Sequence, residues 1–294
     1  MTSQSKKATL REPPKSIWGS LRFLGPGLIL SAAIVGSGEL IATTTMGAKA
    51  GFSLIWLILF ACLTKIAVQL EYGKHCITHG KTTFAAWDMG GGPRIFGTHW
   101  TVHVGLLYMI AVLVGLGVVL GGCAQVAMYA WPVMGIWGWS LALMVLLGLM
   151  VFHGEYKPIE IIAALLNVVF VGAIIFCVFA LQTTPYAFGW GDIAEGFSFR
   201  IPSGTLAIAL GVFGIVGLSP GEIFIYPSWC LEKGYGAYAG VREDTDEWAR
   251  RAKGWIRVMT IDALFSMLVY LFATIAFYIL GASILASREL RDGN

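Results

Sequence analysis

The runs GPGLILSAAIVGSGELIATTT, residues 25–45, and GVFGIVGLSPGEIFIYPSW, residues 211–229, are apolar stretches of bilayer-crossing length, and each is interrupted near its middle. In the first, Gly36, Ser37, Gly38 and Glu39 stand among aliphatic residues; in the second, Ser219, Pro220, Gly221 and Glu222 take the same place. Both breaks end in Gly-Glu followed by two apolar residues. Inside a helix glycine costs about 1 kcal/mol and proline about 3, and proline also removes a backbone donor. The hydrogen-bond ladder is therefore predicted to open at both sites. In hydrocarbon an unpaired backbone group costs several kcal/mol, so the freed groups must line a cavity or hold a ligand.

The rest of the chain fits that solvent. Of its 294 residues 57% are hydrophobic and only 13% charged, with a mean hydropathy of +0.74, beyond what a soluble domain carries. About 20 apolar residues cross a bilayer as a helix. Seven such helices are predicted: Leu21 to Ala48, Phe52 to Tyr72, His103 to Ala130, Trp137 to Phe152, Ile159 to Gln182, Thr205 to Trp229 and Trp255 to Ala286. Residues 1–20 read as a cytosolic tail, because Lys6, Lys7, Arg11 and Lys15 are followed by no small-residue cleavage site. The tail, Lys74, Lys81, Arg94, Lys157 and the basic run from Lys233 to Lys253 fall on one side, against Lys49, Arg200, Arg288 and Arg291 on the other. The positive-inside rule then predicts a cytosolic N-terminus in a cell inner or plasma membrane.

Several function classes fall away. The net charge of +3 is small and its basic residues lie mainly in connecting segments, which opposes a nucleic-acid partner. Cys62, Cys76, Cys123, Cys177 and Cys230 are scattered without a C-x-x-C pair and read as small core residues. Seven spans invite a retinal protein, but Ile256 to Ala286 holds no lysine for a Schiff base. An intramembrane aspartyl hydrolase needs paired Tyr-Asp and Gly-x-Gly-Asp motifs, and neither is present.

Breaks in the first and sixth spans are the pattern of an inverted five-helix repeat, here 21–182 and the start of a second at 205–286 within a transmembrane domain of 21–294. In such folds the two discontinuous helices meet at the bilayer midplane. Their half-helix C-terminal ends, Val35 with Gly36 and Leu218 with Ser219, present carbonyls that suit a cation. Glu39 and Glu222 add a carboxylate to each; the alternative role for each is to cap its own second half-helix. Asp262, Gln125 and Asn167 lie within other spans and are read as cavity-lining residues, Asp262 as a proton carrier, or else as interhelical hydrogen-bond partners. Lys65 and Glu71 are placed toward the end of the second span, snorkelling to the interface. His75 with His79 and His99 with His103 have the i, i+4 spacing but lack the partners of a zinc site. Run Arg242 to Lys253 reads as a solvated cytosolic helix.

Gly25-Pro26-Gly27, the break that follows, and the stretch from Gln69 through His79, Gly80, Lys81 and Thr82 to Trp87 together resemble the Nramp family over nearly the whole chain. The resemblance implies an all-α, polytopic, leucine-transporter-like fold of eleven or twelve spans and proton-coupled entry of manganese or iron. This chain would supply the first seven spans, so it is expected to be a truncated or partial sequence. The family's first-helix Asp-Pro-Gly-Asn falls on Gly36 to Glu39, keeping only the glycine. Its sixth-helix Met-Pro-His motif, falling on Pro220 to Glu222, has lost the thioether and the histidine. Carboxylate and carbonyl oxygens suit a harder ion such as manganese or magnesium. The expected activity is therefore transport of a divalent cation as substrate, with no cofactor and the lipid bilayer as surroundings. A cation-coupled organic-solute carrier of the same fold, or a non-transporting fragment, are the alternatives, and the oligomeric state stays open.

Overall fold

A computed structural model describes residues 10–152 and 156–286. In chain order it contains α1 (Ile17–Leu21), α2 (Pro26–Ile34), α3 (Ser37–Ala50), α4 (Ile55–His79), α5 (Thr83–Asp88), β1 (Arg94–Ile95), β2 (Thr98–His99), α6 (Trp100–Ala130), α7 (Ile136–Phe152) and α8 (Tyr156–Leu181). There follow α9 (Trp190–Glu195), α10 (Leu206–Ile215), α11 (Pro220–Lys233), α12 (Tyr235–Ala239) and α13 (Asp246–Leu280), which ends in a π turn at Gly281–Leu285. Contacts divide the chain into Met1–Thr83 with Ile162–Asn294, and Phe84–Ile161. Both broken helices belong to the first of these units.

Among the described residues five helical runs are long and apolar enough to cross a bilayer: α4, α6, Ile161–Leu181 of α8, α10 with α11, and α13 with its π turn. The pair α2 and α3, bent by 51°, forms a sixth, and α7 adds a shorter apolar helix, Ile136–Met150. All seven predicted spans thus have a helical counterpart, with two shifted ends. Helix α4 runs on to His79, where Gly80 in the left-handed region (φ +63°) closes it by donating to the Cys76 carbonyl. Helix α13 begins at Asp246, its Thr245 hydroxyl accepting from the Trp248 amide at 3.3 Å and Asp246 and Glu247 filling the first turn. The acidic and basic run is therefore the continuous start of the last span. Lys6, Lys7, Arg288 and Arg291, which entered the topology reading, lie outside the described residues.

In the second unit, the polar stretch before α6 forms a two-stranded hairpin, Arg94 opposite His99 and Ile95 opposite Thr98. Its two-residue loop, Phe96-Gly97, has positive φ at both positions, the turn whose twist matches paired strands. Helix α6 then leaves large apolar side chains such as Leu107, Val114 and Val118 exposed, as a helix with lipid for solvent does.

The first unit is built around α13, which packs on α2, α3 and α4. Two features of the quoted Gly-Pro-Gly explain its junction with α2. Pro26 occupies the first helical turn, where its missing N–H is not needed. The orphan amides of Gly25 and Gly27 instead donate to the fully buried Asp262 carboxylate, at 3.0 and 2.7 Å. A side chain at Gly27 would meet the Ser266 hydroxyl at 2.3 Å. At the other end of α13, a Cβ on Gly281 would stand 2.2 Å from the Thr44 carbonyl oxygen, and one on Gly47 2.4 Å from that of Tyr278, so α3 and α13 touch backbone to backbone. Upstream of α1, Arg11 is held against α12 and α13 by its amide on the Tyr238 carbonyl and its carbonyl on the Trp255 indole.

Two outcomes follow. G281A forces backbone against backbone and lowers the apparent melting midpoint in detergent by roughly 5 °C or more, whereas G115A, whose Cβ meets nothing within 4 Å, lowers it not at all. D262A removes two charge-assisted bonds of about 1.5–3 kcal/mol each and lowers the midpoint more than D262N, which keeps one acceptor. Hydrogen exchange at the Gly27 amide separates the two variants.

Candidate functional site

At the first break α2 ends with the Val35 amide on the Ser31 carbonyl, and Gly36 turns extended (φ −112°, ψ −159°) before α3 begins. The Gly36 carbonyl is taken up again by the Leu40 amide at 3.1 Å. That of Val35, in a buried residue, receives no hydrogen bond among the described residues. At the second break Val216 is extended (ψ 134°) and Gly217 has φ +73°, a conformation that costs other residues about 1–2 kcal/mol. Ser219 then starts α11 with Pro220 in the first turn. The Glu222 carboxylate accepts from the Ser219 amide at 2.8 Å and from its hydroxyl, in a Ser-x-x-Glu capping box. The Ser219 carbonyl is used by Ile223, while that of the buried Leu218 is open among the described residues.

The two breaks meet through Glu39. It does not cap its own helix: although it sits in the first turn of α3, its Oε1 accepts from the Gly217 amide at 2.6 Å and its Oε2 from the Thr274 hydroxyl of α13. The side chain is 2% exposed. From α4, the Lys65 ammonium donates to the Val216 carbonyl at 2.6 Å and to that of Gly214 at 2.9 Å. Val216 C=O and Gly217 N–H belong to one peptide group, and in a trans peptide they point in opposite directions. A carboxylate thus binds the positive end of that peptide dipole and an ammonium the negative end, and Glu222 lies within electrostatic reach of both charges.

The predicted site residues separate into groups. Glu39, Val35, Gly36, Leu218, Ser219 and Glu222 all lie at the two breaks, and Glu39 links one break to the other. Of the four carbonyls proposed for a cation, those of Gly36 and Ser219 already accept helical bonds, and those of Val35 and Leu218 do not. One oxygen of Glu222 remains beside its capping bonds. Asp262 anchors the start of α2, and buried Asn167 of α8 donates to the Ser31 hydroxyl of α2, both as interhelical bonds. Gln125 is exposed on α6, in the second unit. His75 and His79 stack at 4.2 Å. No three His, Cys, Asp or Glu side chains group as a metal site among the described residues.

Three participants were not predicted: Gly217, Thr274 and Lys65. Lys65, read as snorkelling to the interface, instead turns from the apolar part of α4 to the Gly214 and Val216 carbonyls of the second break. A lysine at that depth costs about 2.5–3.5 kcal/mol and is itself the signal that a partner exists. Glu71, by contrast, is exposed and paired with Lys74 at 2.5 Å, in keeping with an interfacial place.

The Nramp profile, described as natural resistance-associated macrophage protein-like, matches residues 27–293. A divalent metal cation transporter MntH from Deinococcus radiodurans is 25% identical over 275 residues, 88% of this chain and 56% of that protein. One from Verminephrobacter eiseniae is 25% identical over 211 residues, 70% and 45% respectively. A crystal structure of a mutant of the Eremococcus coleocola manganese transporter superposes with a TM-score of 0.72 at 18% identity, covering 96% of this chain and 56% of that one. The chain thus spans about half the length of these relatives. The profile match over nearly all its residues, carried on a helical, multi-pass membrane fold, shows that the chain belongs to the Nramp family.

Proposed function

We propose that this chain forms the first seven spans of a secondary transporter that carries a divalent cation between the two broken helices. The observation that carries the reading is Glu39 of the first break bound to the backbone of the second, at a junction flanked by Glu222 and by the Val35 and Leu218 carbonyls, which are open among the described residues. These are all hard oxygen donors, and no thioether or imidazole joins them. That set favours manganese or magnesium over softer metals. The family and the printed activities of the relatives, divalent metal and manganese transport, support the substrate class. Waters complete a six-fold shell, since two carboxylates and two carbonyls supply four positions. Orientation follows the distribution of basic loops, with the N-terminus cytosolic. Coupling to protons is an implication of the family alone; Asp262, bound to two amides, is assigned an anchoring role.

The test is binding and transport together. Manganese titrated calorimetrically against the purified chain, and proteoliposome uptake by the full-length protein, are compared for wild type, E39Q and E222Q. E222Q, whose remaining oxygen is the more available, weakens manganese binding about tenfold, about 1.4 kcal/mol. E39Q abolishes uptake, because it loosens the junction as well as the ligand set. Unchanged affinity and uptake in both variants remove the carboxylates from the mechanism. Uptake of iron or cadmium with none of manganese or magnesium overturns the assignment of a hard ion.

A further inference from the structure

We infer that Lys65 is a specificity-determining residue: its ammonium occupies, as a tethered monovalent cation, the carbonyl site at the end of α10 that would otherwise take a sodium ion. A half-helix C-terminus in the middle of a bilayer carries partial negative charge on carbonyls without helical partners, and such ends bind alkali cations in discontinuous helices. At the end of α10 those carbonyls, Gly214 and Val216, are both held by Lys65, at 2.9 and 2.6 Å. The Phe213 ring lies 6.0 Å from the same nitrogen. The charges facing it are Glu39 and Glu222.

The comparison with the first break makes the point specific. There the Val35 carbonyl has no ammonium or other donor among the described residues, although it too ends a half-helix. Among the described residues the Val35 carbonyl at the first break is open, whereas at the second the Gly214 and Val216 carbonyls are taken by the chain itself and only that of Leu218 is left. An ammonium carries the same charge as an alkali ion and three N–H donors in place of its coordination bonds, so it satisfies the carbonyls without dissociating. Sodium then has no place at the Gly214 and Val216 carbonyls, and this end of α10 is indifferent to it. The inference goes beyond the proposed function, since no divalent ion enters it.

The experiment uses the purified full chain in detergent, with sodium-22 in a proximity assay and thermal unfolding in sodium chloride against choline chloride of equal ionic strength. Wild type and K65R bind no sodium saturably and melt at the same midpoint in both salts. K65M, whose unbranched side chain is one atom shorter and carries no charge, binds sodium saturably. Its midpoint rises by about 3 °C when sodium is tenfold above its Kd. Saturable sodium binding to the wild type overturns the inference, and so does a folded, monodisperse K65M that ignores sodium. If K65M cannot be purified in choline, its recovery in sodium counts for the inference; if it is lost in both salts, K65Q takes its place in the same arms, and a folded K65Q that ignores sodium, or the loss of K65Q in both salts as well, overturns the inference. Because no arm contains manganese, its failure and that of the divalent-cation reading are read separately.

Discussion

A peptide group that leaves a helix within hydrocarbon must find both its donor and its acceptor elsewhere, and at Val216–Gly217 both come from charged side chains of other helices. Glu39 of α3 and Lys65 of α4 hold opposite ends of that one peptide, and Thr274 of α13 holds the second oxygen of Glu39. Three helices are thereby tied to the unwound segment between α10 and α11. The arrangement offsets two costs at once, since neither a carboxylate nor an ammonium is stable at that depth alone. The extended ψ of Val216 (134°) turns this peptide out of the helical ladder of α10, and Gly217 admits the positive φ with which the chain continues.

The two Gly-Glu breaks look alike in sequence and are used differently. Glu222 follows a serine by three residues and turns back to cap its own helix, as the local pattern alone dictates. Glu39 has Gly36 at the corresponding position, which offers no hydroxyl, so its carboxylate is free to reach across to the other repeat. The same contrast runs through the anchoring residues. Asp262 supplies the capping anion that Gly25-Pro26-Gly27 lacks, and Asn167 takes the Ser31 hydroxyl, so the starts and middles of α2 are held by α13 and α8. Among the described residues, the oxygens left open at the junction include the carbonyls of Val35 and Leu218 and the second oxygen of Glu222.

Membership of the Nramp family rests on the match over residues 27–293, and the fold agrees with a manganese transporter at 18% identity. By the resemblance, the family's first- and sixth-helix motifs fall on this junction, with the methionine and histidine of the sixth at Pro220 and Glu222. The replacements change the ligand chemistry without removing the breaks, because glycine and proline at Gly36, Gly217 and Pro220 keep the backbone open. Under the proposed function this is a change of ion within a conserved architecture. The tethered ammonium of Lys65 belongs to the same logic, since it takes the Gly214 and Val216 carbonyls out of the set of oxygens available to a cation.

The seven apolar runs, the positions of both breaks and the identity of the residues flanking them were legible in the sequence, because span length, glycine and proline act locally. The capping box at Ser219 was legible for the same reason. Hairpin residues 94–99 and the extension of α4 to His79 were missed where polar composition concealed regular backbone, and the helix read in the run Arg242 to Lys253 proved continuous with the last span. The partners of Asp262, Asn167, Glu39 and Lys65 were beyond reach: Gly25 and Asp262 are 237 residues apart, and Glu39 and Gly217 178. The sequence by itself determined that this backbone must break twice in the membrane, since that is decided by each residue's own conformational cost. Which charges satisfy the breaks was decided by the tertiary structure alone, because burial makes a buried ion seek whatever opposite charge or dipole the packing of distant helices brings within 3 Å.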